Sequence, residues 1–306
     1  MSKPFDLAVP VSLGARAGIS EVWAAFLEAR PVVQLVFAMR FAVGGALSSD
    51  AAAFLPLHAA AGQCAWLASM WFVYLVNGMS DLEGDRLNAS SRPIAAGVLR
   101  VERARVISAV LAAFSILVGS VVDLKFSLFC ASMLMLGVVY SYGPFALKKW
   151  SPTASITVAT AGFVTYVAGA YAFSGAVTSS TVLVAGIMGA WMAAAGNYKD
   201  LGEEVGDRAA GRRTLPVLLG RRRATFVIWM ACVLIALLAL LAVAVDLFIW
   251  PVGVLIAASA LLARSWASRR GSKSMQAGAG AKFPYRVFMV SQYVVNGLLL
   301  VTASLP

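Results

Sequence analysis

The sequence predicts an all-α protein that crosses a membrane several times, and two observations carry that prediction. The first is composition, since of 306 residues 60% are hydrophobic and only 13% are charged, with a mean hydropathy of +0.82. Soluble domains carry about 25% charged residues, so this chain has too few to cover its surface in water. The second observation is the length of its apolar runs. Together they exclude a soluble enzyme, a disordered protein and a disulfide-rich secreted domain.

Apolar runs of about 17 to 25 residues are typical of transmembrane helices. We predict nine of them, all within a single domain at residues 31–306. They lie at 32–48, 57–77, 105–122, 126–142, 154–175, 180–197, 224–244, 247–263 and 285–304. Residues 1–30 are predicted to form an N-terminal arm that ends in a short helix on the membrane surface. Residues 268–283 have the composition of a flexible polar loop.

The net charge of +11 is explained by membrane topology and does not require a nucleic acid partner. All lysines and arginines except Lys125 and Arg40 lie in the N-terminal arm or in the loops after the second, fourth, sixth and eighth predicted helices. The positive-inside rule then places the N-terminus in the cytoplasm and the C-terminus outside. The cell membrane is the expected location. Arg40 lies within the first predicted helix, where a charge indicates a functional role.

Half of the 14 acidic residues fall in two short windows, each beginning where a predicted helix reaches the cytoplasmic side. The windows contain Asp81, Glu83 and Asp85, then Asp200, Glu203, Glu204 and Asp207. Residues 77–86 also align with 199–208, at an offset that spans four helices. This match predicts two four-helix pseudo-repeats followed by a ninth helix. Membrane proteins built from repeats commonly place a site where the repeats meet.

The spacing within these windows indicates a metal site. Asn77, Asp81 and Asp85 are four residues apart, so on a continuous helix they form one stripe of like charges that repel one another. A divalent cation removes that repulsion. The chain has one histidine and three cysteines in apolar runs, so oxygen ligands and Mg²⁺ are predicted. The alternative is a solvated loop with compensating charges.

Basic residues beside both windows indicate a polyphosphate ligand. Mg²⁺ held by one or two carboxylates usually shares its coordination with substrate phosphates, and arginine and lysine bind phosphate oxygens strongly. The residues concerned are Arg86, Arg92, Lys199, Arg208, Arg212 and Arg213.

At these residues the chain resembles the UbiA superfamily of intramembrane prenyltransferases, whose two Asp-rich motifs are N-D-x-x-D-x-x-x-D and D-x-x-D-x-x-x-D. The first motif reads Asn77-Gly-Met-Ser-Asp-Leu-Glu-Gly-Asp85 and the second reads Asp200-Leu-Gly-Glu-Glu-Val-Gly-Asp207. The resemblance spans about residues 28 to 300. Gly78 and Glu203 stand where the family pattern has aspartate.

The resemblance implies a nine-helix bundle with a cytoplasmic cap, around a chamber open to membrane lipid. It implies Mg²⁺-dependent transfer of an isoprenoid chain from a prenyl diphosphate to an aromatic or lipid acceptor. The implied metal ligands are Asn77, Asp81, Asp85, Asp200, Glu203 and Asp207, of which Asp81, Asp85 and Asp207 are the catalytic residues. The implied diphosphate-binding residues are Arg92, Lys199, Arg208, Tyr140 and Lys148, to which we add Arg40 from its place within a span.

Two other functions stay open at this point. A terpene cyclase of the same superfamily would use the same site without a separate acceptor, and Gly78 leaves that reading open. A transporter would place ionisable groups near the bilayer midplane, whereas these acids cluster at one end of the predicted helices.

Overall fold

The computed structural model describes residues 14–48, 55–267 and 279–304. Every regular element in these ranges is helical, and the extended pairing they contain is one isolated bridge between Trp150 and Arg213. The predicted arm before residue 14 and residues 268–278 of the polar loop predicted at 268–283 lie outside the described residues. Residues 279–283 begin a helix, so the loop prediction is wrong there. The α-helices, in chain order, are α1 Gly14–Glu28, α2 Pro31–Ser48, α3 Pro56–Ser80, α4 Leu82–Leu87, α5 Val101–Gly119, α6 Leu124–Ser141, α7 Ser151–Ser174, α8 Ser179–Ala195, α9 Glu204–Ala209, α10 Leu215–Val245, α11 Val254–Ala267 and α12 Ala279–Ser304.

The predicted all-α, polytopic fold is confirmed. Eight helical stretches in the described ranges are long and apolar enough to span a membrane, and each coincides with a predicted segment. The remaining predicted segment, at 105–122, is the helix α5, whose first turns carry Glu102, Arg103 and Arg105. Each of the eight stretches contains an 18-residue run with at most two charged residues, whereas α5 has three, so a ninth span stays a prediction.

Several helix ends follow directly from local sequence. Pro56 and Pro216 occupy the first turns of α3 and α10, where the missing backbone N–H removes no hydrogen bond. Asp123 caps α6 by accepting from the Phe126 amide at 2.7 Å, which satisfies a free donor of the first turn. Gly175 ends α7 with φ of +71°, a conformation that favours glycine.

Glycines let α2 and α7 cross at very short range. A β-carbon at Gly44 would overlap the backbone of Tyr166, and one at Gly169 would overlap the backbone of Phe41. Small residues at such crossings allow helix backbones to approach closely in membranes. The crossing therefore fixes the separation of two helices that wall the cavity described below.

From Asp81 and Glu203 onward, the two acidic windows fold alike. Both continue into six-residue helices, α4 and α9, whose positions in the two windows correspond residue for residue. Each helix is followed by a left-handed residue, Ala89 with φ of +49° and Gly211 with φ of +68°. The sequence match between the windows thus corresponds to a match in backbone structure.

Helices α4 and α9 pack directly on each other. Asn88 at the end of α4 accepts a hydrogen bond from the Gly206 amide at 3.0 Å. A β-carbon at Gly206 would come within 2.7 Å of the Gly84 carbonyl oxygen, so only glycine fits there. This contact brings the two acidic windows together at the same end of the bundle.

Candidate active site

A cavity of about 220 Å³ lies between α2, α3, α6, α7, α8 and α12. Its end nearest α4 is polar and is lined by Asn77, Asp81, Asp85, Arg92, Lys199, Asp200 and Glu203. The rest of the wall is mostly apolar and includes Val36, Phe37, Met70, Val73, Met133, Leu136, Val158, Met192 and Met289. The cavity therefore suits a ligand with a charged head and a hydrocarbon tail.

Two basic residues meet at the Asp81 carboxylate, which ends α3. Lys148 Nζ lies 2.7 Å from Asp81 Oδ1, and the Arg212 guanidinium donates to the same oxygen. Asn77 Nδ2 donates to the other oxygen, Oδ2, at 2.9 Å. Arg212 also contacts Asp207 Oδ1 through Nη1 at 3.1 Å. Arg212 thereby bridges the two acidic windows.

These contacts and burial together shift the pKa values of Asp81, Lys148 and Asp207. Burial disfavours the charged form of Asp81, but Arg212 and Lys148 outweigh that effect and hold the pKa of this carboxyl below its usual range. Burial lowers the pKa of Lys148 to about 8, although Asp81 opposes the shift. Burial raises the pKa of Asp207, and Arg212 offsets only part of that rise. Asp81 is thus held as an anion, whereas burial favours the protonated form of Asp207.

A second ionic cluster joins helix α1 to the first window. Arg92 Nη1 lies 2.9 Å from Asp85 Oδ2, and its Nη2 lies 2.5 Å from Glu28 Oε1. Glu28 is fully buried and accepts from the Ile94 amide at 2.9 Å. Burial raises the pKa of both Glu28 and Asp85, more than Arg92 lowers it.

Glu28 also explains the glycine at position 78. A β-carbon at Gly78 would overlap the Glu28 carboxylate and would lie 2.7 Å from Arg92 Nη2. The space that a side chain at position 78 would need is therefore filled by a carboxylate from α1. Sequence analysis did not single out Glu28, because its partners follow it by more than 55 residues.

Comparison with known proteins decides the family. Residues 32–288 match the model of the UbiA prenyltransferase family. The chain belongs to this family. A UbiA homologue from Archaeoglobus fulgidus, solved with GPP and Mg²⁺, has a TM-score of 0.71 and 20% identity, covering 92% of this chain and 98% of its own. An apo UbiA homologue from Aeropyrum pernix K1 has a TM-score of 0.64 and 17% identity, over 88% of this chain and 98% of its own. These structures show a shared fold.

Curated relatives are more similar over shorter stretches. Digeranylgeranylglyceryl phosphate synthase of Methanosphaera stadtmanae is 28% identical over 49% of this chain and 53% of its own. Probable homogentisate phytyltransferase 2 of Oryza sativa is 30% identical over 54% of this chain and 46% of its own. The chain thus spans about half the length of these two relatives. Digeranylgeranylglyceryl phosphate synthase of Halobacterium salinarum is 32% identical over 62% of this chain and 65% of its own.

The structure brings most of the predicted UbiA site residues together. Those that line the cavity are Asn77, Asp81, Asp85, Arg92, Tyr140, Lys199, Asp200, Glu203 and Arg40. Lys148 and Asp207 lie behind this lining and reach it through their ion pairs with Asp81 and Arg212. No three histidine, cysteine, aspartate or glutamate side chains in the described ranges are placed to hold a metal ion by themselves.

Two predicted diphosphate-binding residues lie apart from the acids that line the cavity. Arg208 has 63% of its side chain exposed and pairs with Glu204 at 3.1 Å, so the structure does not bring it into the cavity. Arg40 does line the cavity, but it lies far from the polar end. Ten residues separate it from Arg30, which lines that end, and this is about 15 Å along the helix at 1.5 Å per residue. Its guanidinium donates to Gln292 Oε1 at 2.5 Å, not to an acidic residue.

The structure also adds cavity residues that sequence analysis left unassigned. Arg30 lines the polar end and adopts a left-handed φ of +56° just before α2. Gln292 lines the cavity from α12. Arg212 was noted among the basic residues near the windows, but nothing in its spacing indicated that it would bridge them.

Proposed function

We propose that this UbiA-family protein is a Mg²⁺-dependent intramembrane prenyltransferase. It transfers an isoprenoid chain from a prenyl diphosphate to an aromatic or lipid acceptor. The allylic C–O bond breaks with its electron pair leaving on diphosphate, the acceptor forms the new bond, and the acceptor's proton passes to diphosphate or solvent. The observation that carries the proposal is the bridge from Asp81 through Arg212 to Asp207, at the polar end of a cavity whose remaining wall is mostly apolar.

The residues at the polar end fit Mg²⁺ bound together with a diphosphate. Asn77 Oδ1 and Asp207 Oδ2 are buried without hydrogen-bond partners, so both oxygens have lone pairs to offer. Mg²⁺ usually takes one or two carboxylates and completes its shell with water and phosphate oxygens. Asp81, Asp85, Asp200 and Glu203 supply further oxygens at the same end. When bound, the ion would neutralise charge on the leaving diphosphate.

The remaining residues at this end would orient the diphosphate. Arg92 and Lys199 line the cavity and have N–H groups for phosphate oxygens. Lys148 and Arg212 hold Asp81 in place from behind. Mg²⁺ and GPP in the Archaeoglobus homologue support the same arrangement in this chain.

The apolar wall would bind the isoprenoid tail and protect the reaction. Burying the tail contributes about 0.8 kcal/mol per methylene. A chamber poor in water also protects an allylic cation from hydrolysis. Membrane lipid gives the tail a route to the cavity that does not pass through water.

The buried guanidinium of Arg40 favours a transferase over a cyclase. A cyclase moves positive charge along the substrate's own chain, deeper into the cavity. A carbocation about 5 Å from Arg40 would be repelled by roughly 3 kcal/mol at an effective dielectric constant of about 20. A transferase ends the reaction at the first carbon, near the acids, and avoids that repulsion.

We also propose that the site faces the cytoplasm and that the chain resides in the cell membrane. The polar end lies beside the basic segments that precede α5 and α10, which the positive-inside rule assigns to the cytoplasm. Single cysteines introduced at Lys149 and at Lys125 should be labelled by impermeant reagents from opposite faces of the membrane.

The deciding experiment is product analysis by mass spectrometry. Purified protein is incubated with Mg²⁺ and prenyl diphosphates of several lengths, with and without a panel of acceptors. A prenylated acceptor with diphosphate release, lost in EDTA and restored by Mg²⁺, is the expected result. A cyclic product from the donor alone would show a cyclase. Flux of solute in proteoliposomes without diphosphate release would show a transporter.

A further inference from the structure

The helix α10 is interrupted close to its start, at Gly220. This residue has φ of +73° and ψ of +155°, a conformation nearly restricted to glycine. A β-carbon at Gly220 would meet no atom within 4 Å, so the glycine serves the backbone turn and not close packing. Residues 221–223, which follow directly, are three consecutive arginines. The chain therefore changes direction immediately before its longest run of positive charge.

These arginines lie at the depth of lipid headgroups. Residues 224–245 contain no charged side chain and are about 33 Å long at 1.5 Å per residue, which matches the hydrocarbon thickness of a membrane. Among the eight candidate spans of the described ranges, α10 has the smallest buried share, at 22%. Lipid of the leaflet on the side of the acidic windows therefore has direct access to this end of α10.

The three arginines have different surroundings. Arg221 precedes the buried residues Ala224 and Thr225 by one helical turn, so it shares their face of α10. Arg222 and Arg223 are exposed. Two of the three positive charges thus face away from the bundle, toward lipid.

A shallow depression lies beside Arg222 and Arg223 on the surface of α10. Its other lining residues are Leu219, Phe226 and Val227, which are 39 to 43% exposed. Helical side chains point toward the helix N-terminus, so the two guanidinium groups extend toward the headgroup side of this apolar surface. The depression therefore combines an apolar floor with positive charge on the side that faces water.

Neither Arg222 nor Arg223 has a carboxylate partner, since the ion pairs of the described ranges all involve other basic residues. Membrane topology requires positive charge at this end of a span. It does not require two arginines to border an exposed apolar depression. A phosphate group supplies the missing anion, because guanidinium groups bind phosphate oxygens in a bidentate manner.

We propose that this depression binds an anionic phospholipid, with its phosphate held by Arg222 and Arg223 and its acyl chains lying along Phe226 and Val227. A phospholipid supplies both parts at the depth where they are found, since its phosphate lies at the membrane surface and its chains extend inward. The depression shares no lining residue with the cavity that holds the acidic windows. The bound lipid holds the start of α10 at the membrane surface and does not depend on the proposed reaction.

Arg264 on α11 provides a matched control. The helix α11 runs back alongside α10, and Trp229 Nε1 donates to the Ser259 carbonyl at 3.2 Å. Arg223 lies six residues from Trp229 and Arg264 lies five residues from Ser259, so the two arginines are at nearly the same depth. Arg264 is exposed but does not line the depression. Its removal takes away the same charge at the same level without altering the proposed site.

The test measures lipid binding to the delipidated full-length protein in detergent, by native mass spectrometry. Phosphatidylglycerol is compared with phosphatidylcholine that carries the same acyl chains, and glycerol 3-phosphate is added as a competitor. The unaltered protein should bind phosphatidylglycerol at least about tenfold more tightly than phosphatidylcholine, as two arginines at about fivefold each allow. Glycerol 3-phosphate should not displace the lipid, which distinguishes a phospholipid from a free phosphate as the source of the anion.

Three variants locate the binding. The double variant Arg222→Gln/Arg223→Gln should weaken phosphatidylglycerol by about 25-fold, whereas Arg264→Gln should weaken it by less than about twofold. Phe226→Ala keeps every arginine and removes part of the apolar floor, so it should weaken phosphatidylglycerol by about fivefold. A diffuse attraction between charges would not respond to Phe226→Ala.

Thermal melting provides a second measurement. Phosphatidylglycerol should raise the melting temperature of the unaltered protein and of Arg264→Gln, but not that of the double variant. All the substituted side chains are exposed, so the melting temperatures without lipid should be equal. The site is overturned if phosphatidylcholine binds as tightly, if glycerol 3-phosphate displaces the lipid, if Arg264→Gln weakens binding as much as the double variant does, or if Phe226→Ala has no effect.

Discussion

The two acidic windows share a backbone but differ in how their side chains are held. In the first window, Asp81 contacts Lys148 and Arg212, and Asp85 is tied to α1 through Arg92. In the second window, Asp207 contacts Arg212 alone among the basic residues. The comparison shows that a repeated backbone can carry one window tied to distant parts of the fold and another whose ion pairs, apart from the Arg212 bridge, join residues four apart in sequence, Lys199 with Glu203 and Arg208 with Glu204. We expect the first window to matter for both stability and catalysis, and the second mainly for catalysis.

Removal of the two central carboxylates tests this difference most strongly. Asp81→Ala and Asp207→Ala should each abolish product formation, because each removes an oxygen from the proposed metal and diphosphate site. Asp81→Ala should also lower the free energy of unfolding by about 3 kcal/mol, since buried Lys148 loses its carboxylate partner and Arg212 loses one of its two. Asp207→Ala should cost only about 1 to 2 kcal/mol, because Arg212 keeps Asp81. Activity assays and thermal melting in detergent measure both, and equal melting temperatures would contradict the comparison.

The next test uses the two arginines that follow Asp207 in sequence, Arg208 and Arg212. Arg212→Met should lower turnover by about a hundredfold, as when one preorganised charge is removed from an active site. Arg208→Met should change turnover by less than about twofold, because Arg208 is exposed and its pairing with Glu204 contributes little. Steady-state rates at saturating donor measure both variants. Equal losses would mean that Arg208 enters the site when substrate binds.

The contact between α1 and the first window can be broken and restored. Gly78→Asp should lower activity by roughly tenfold to a hundredfold and destabilise the protein by about 2 to 3 kcal/mol, because the new side chain overlaps Glu28. Glu28→Ala should also destabilise it, since Arg92 loses a buried partner. The double variant should recover at least half of the lost activity, because the new aspartate can then face Arg92. A double variant worse than either single one would rule out shared space.

The smallest effect concerns the residues after α4 and α9. Ala89 and Gly211 occupy equivalent left-handed positions, a conformation that costs a residue other than glycine about 1 to 2 kcal/mol. Ala89→Gly should stabilise the protein by about 0.5 kcal/mol after the added entropy of the unfolded chain. Gly211→Ala should destabilise it by about 1 kcal/mol. Thermal melting of the two variants should show shifts of opposite sign.

Hydropathy and spacing predicted most of the fold, because transmembrane length and helical period are local properties of the chain. The helix α5 shows the limit, since it begins at Val101 and includes Glu102 and Arg103, which precede its predicted apolar run at 105–122. Local pattern also predicted the two acidic windows, their position at the same end of the bundle and the window residues that line the cavity. These features need no knowledge of which helices touch.

The ionic partners could not be predicted, because they depend on contacts between distant residues. Arg212 and Asp81 are separated by 131 residues, and Glu28 precedes Ile94 by 66. Sequence analysis assigned Arg208 to the diphosphate site and left Arg212 unassigned, whereas in the structure Arg208 is exposed and Arg212 bridges the two windows. The resemblance to the UbiA pattern likewise gave no reason for Gly78, which only the position of Glu28 supplies.

The glycine crossing of α2 and α7 has a consequence for substrate size. Gly44 and Gly169 leave no room for the two helices to move closer, so the frame of the cavity is fixed there. The lining, in contrast, contains Met70, Met133, Met192 and Met289, unbranched side chains that change shape easily. We expect such a chamber to accommodate isoprenoids of different length by rearranging its methionines while the helices stay in place.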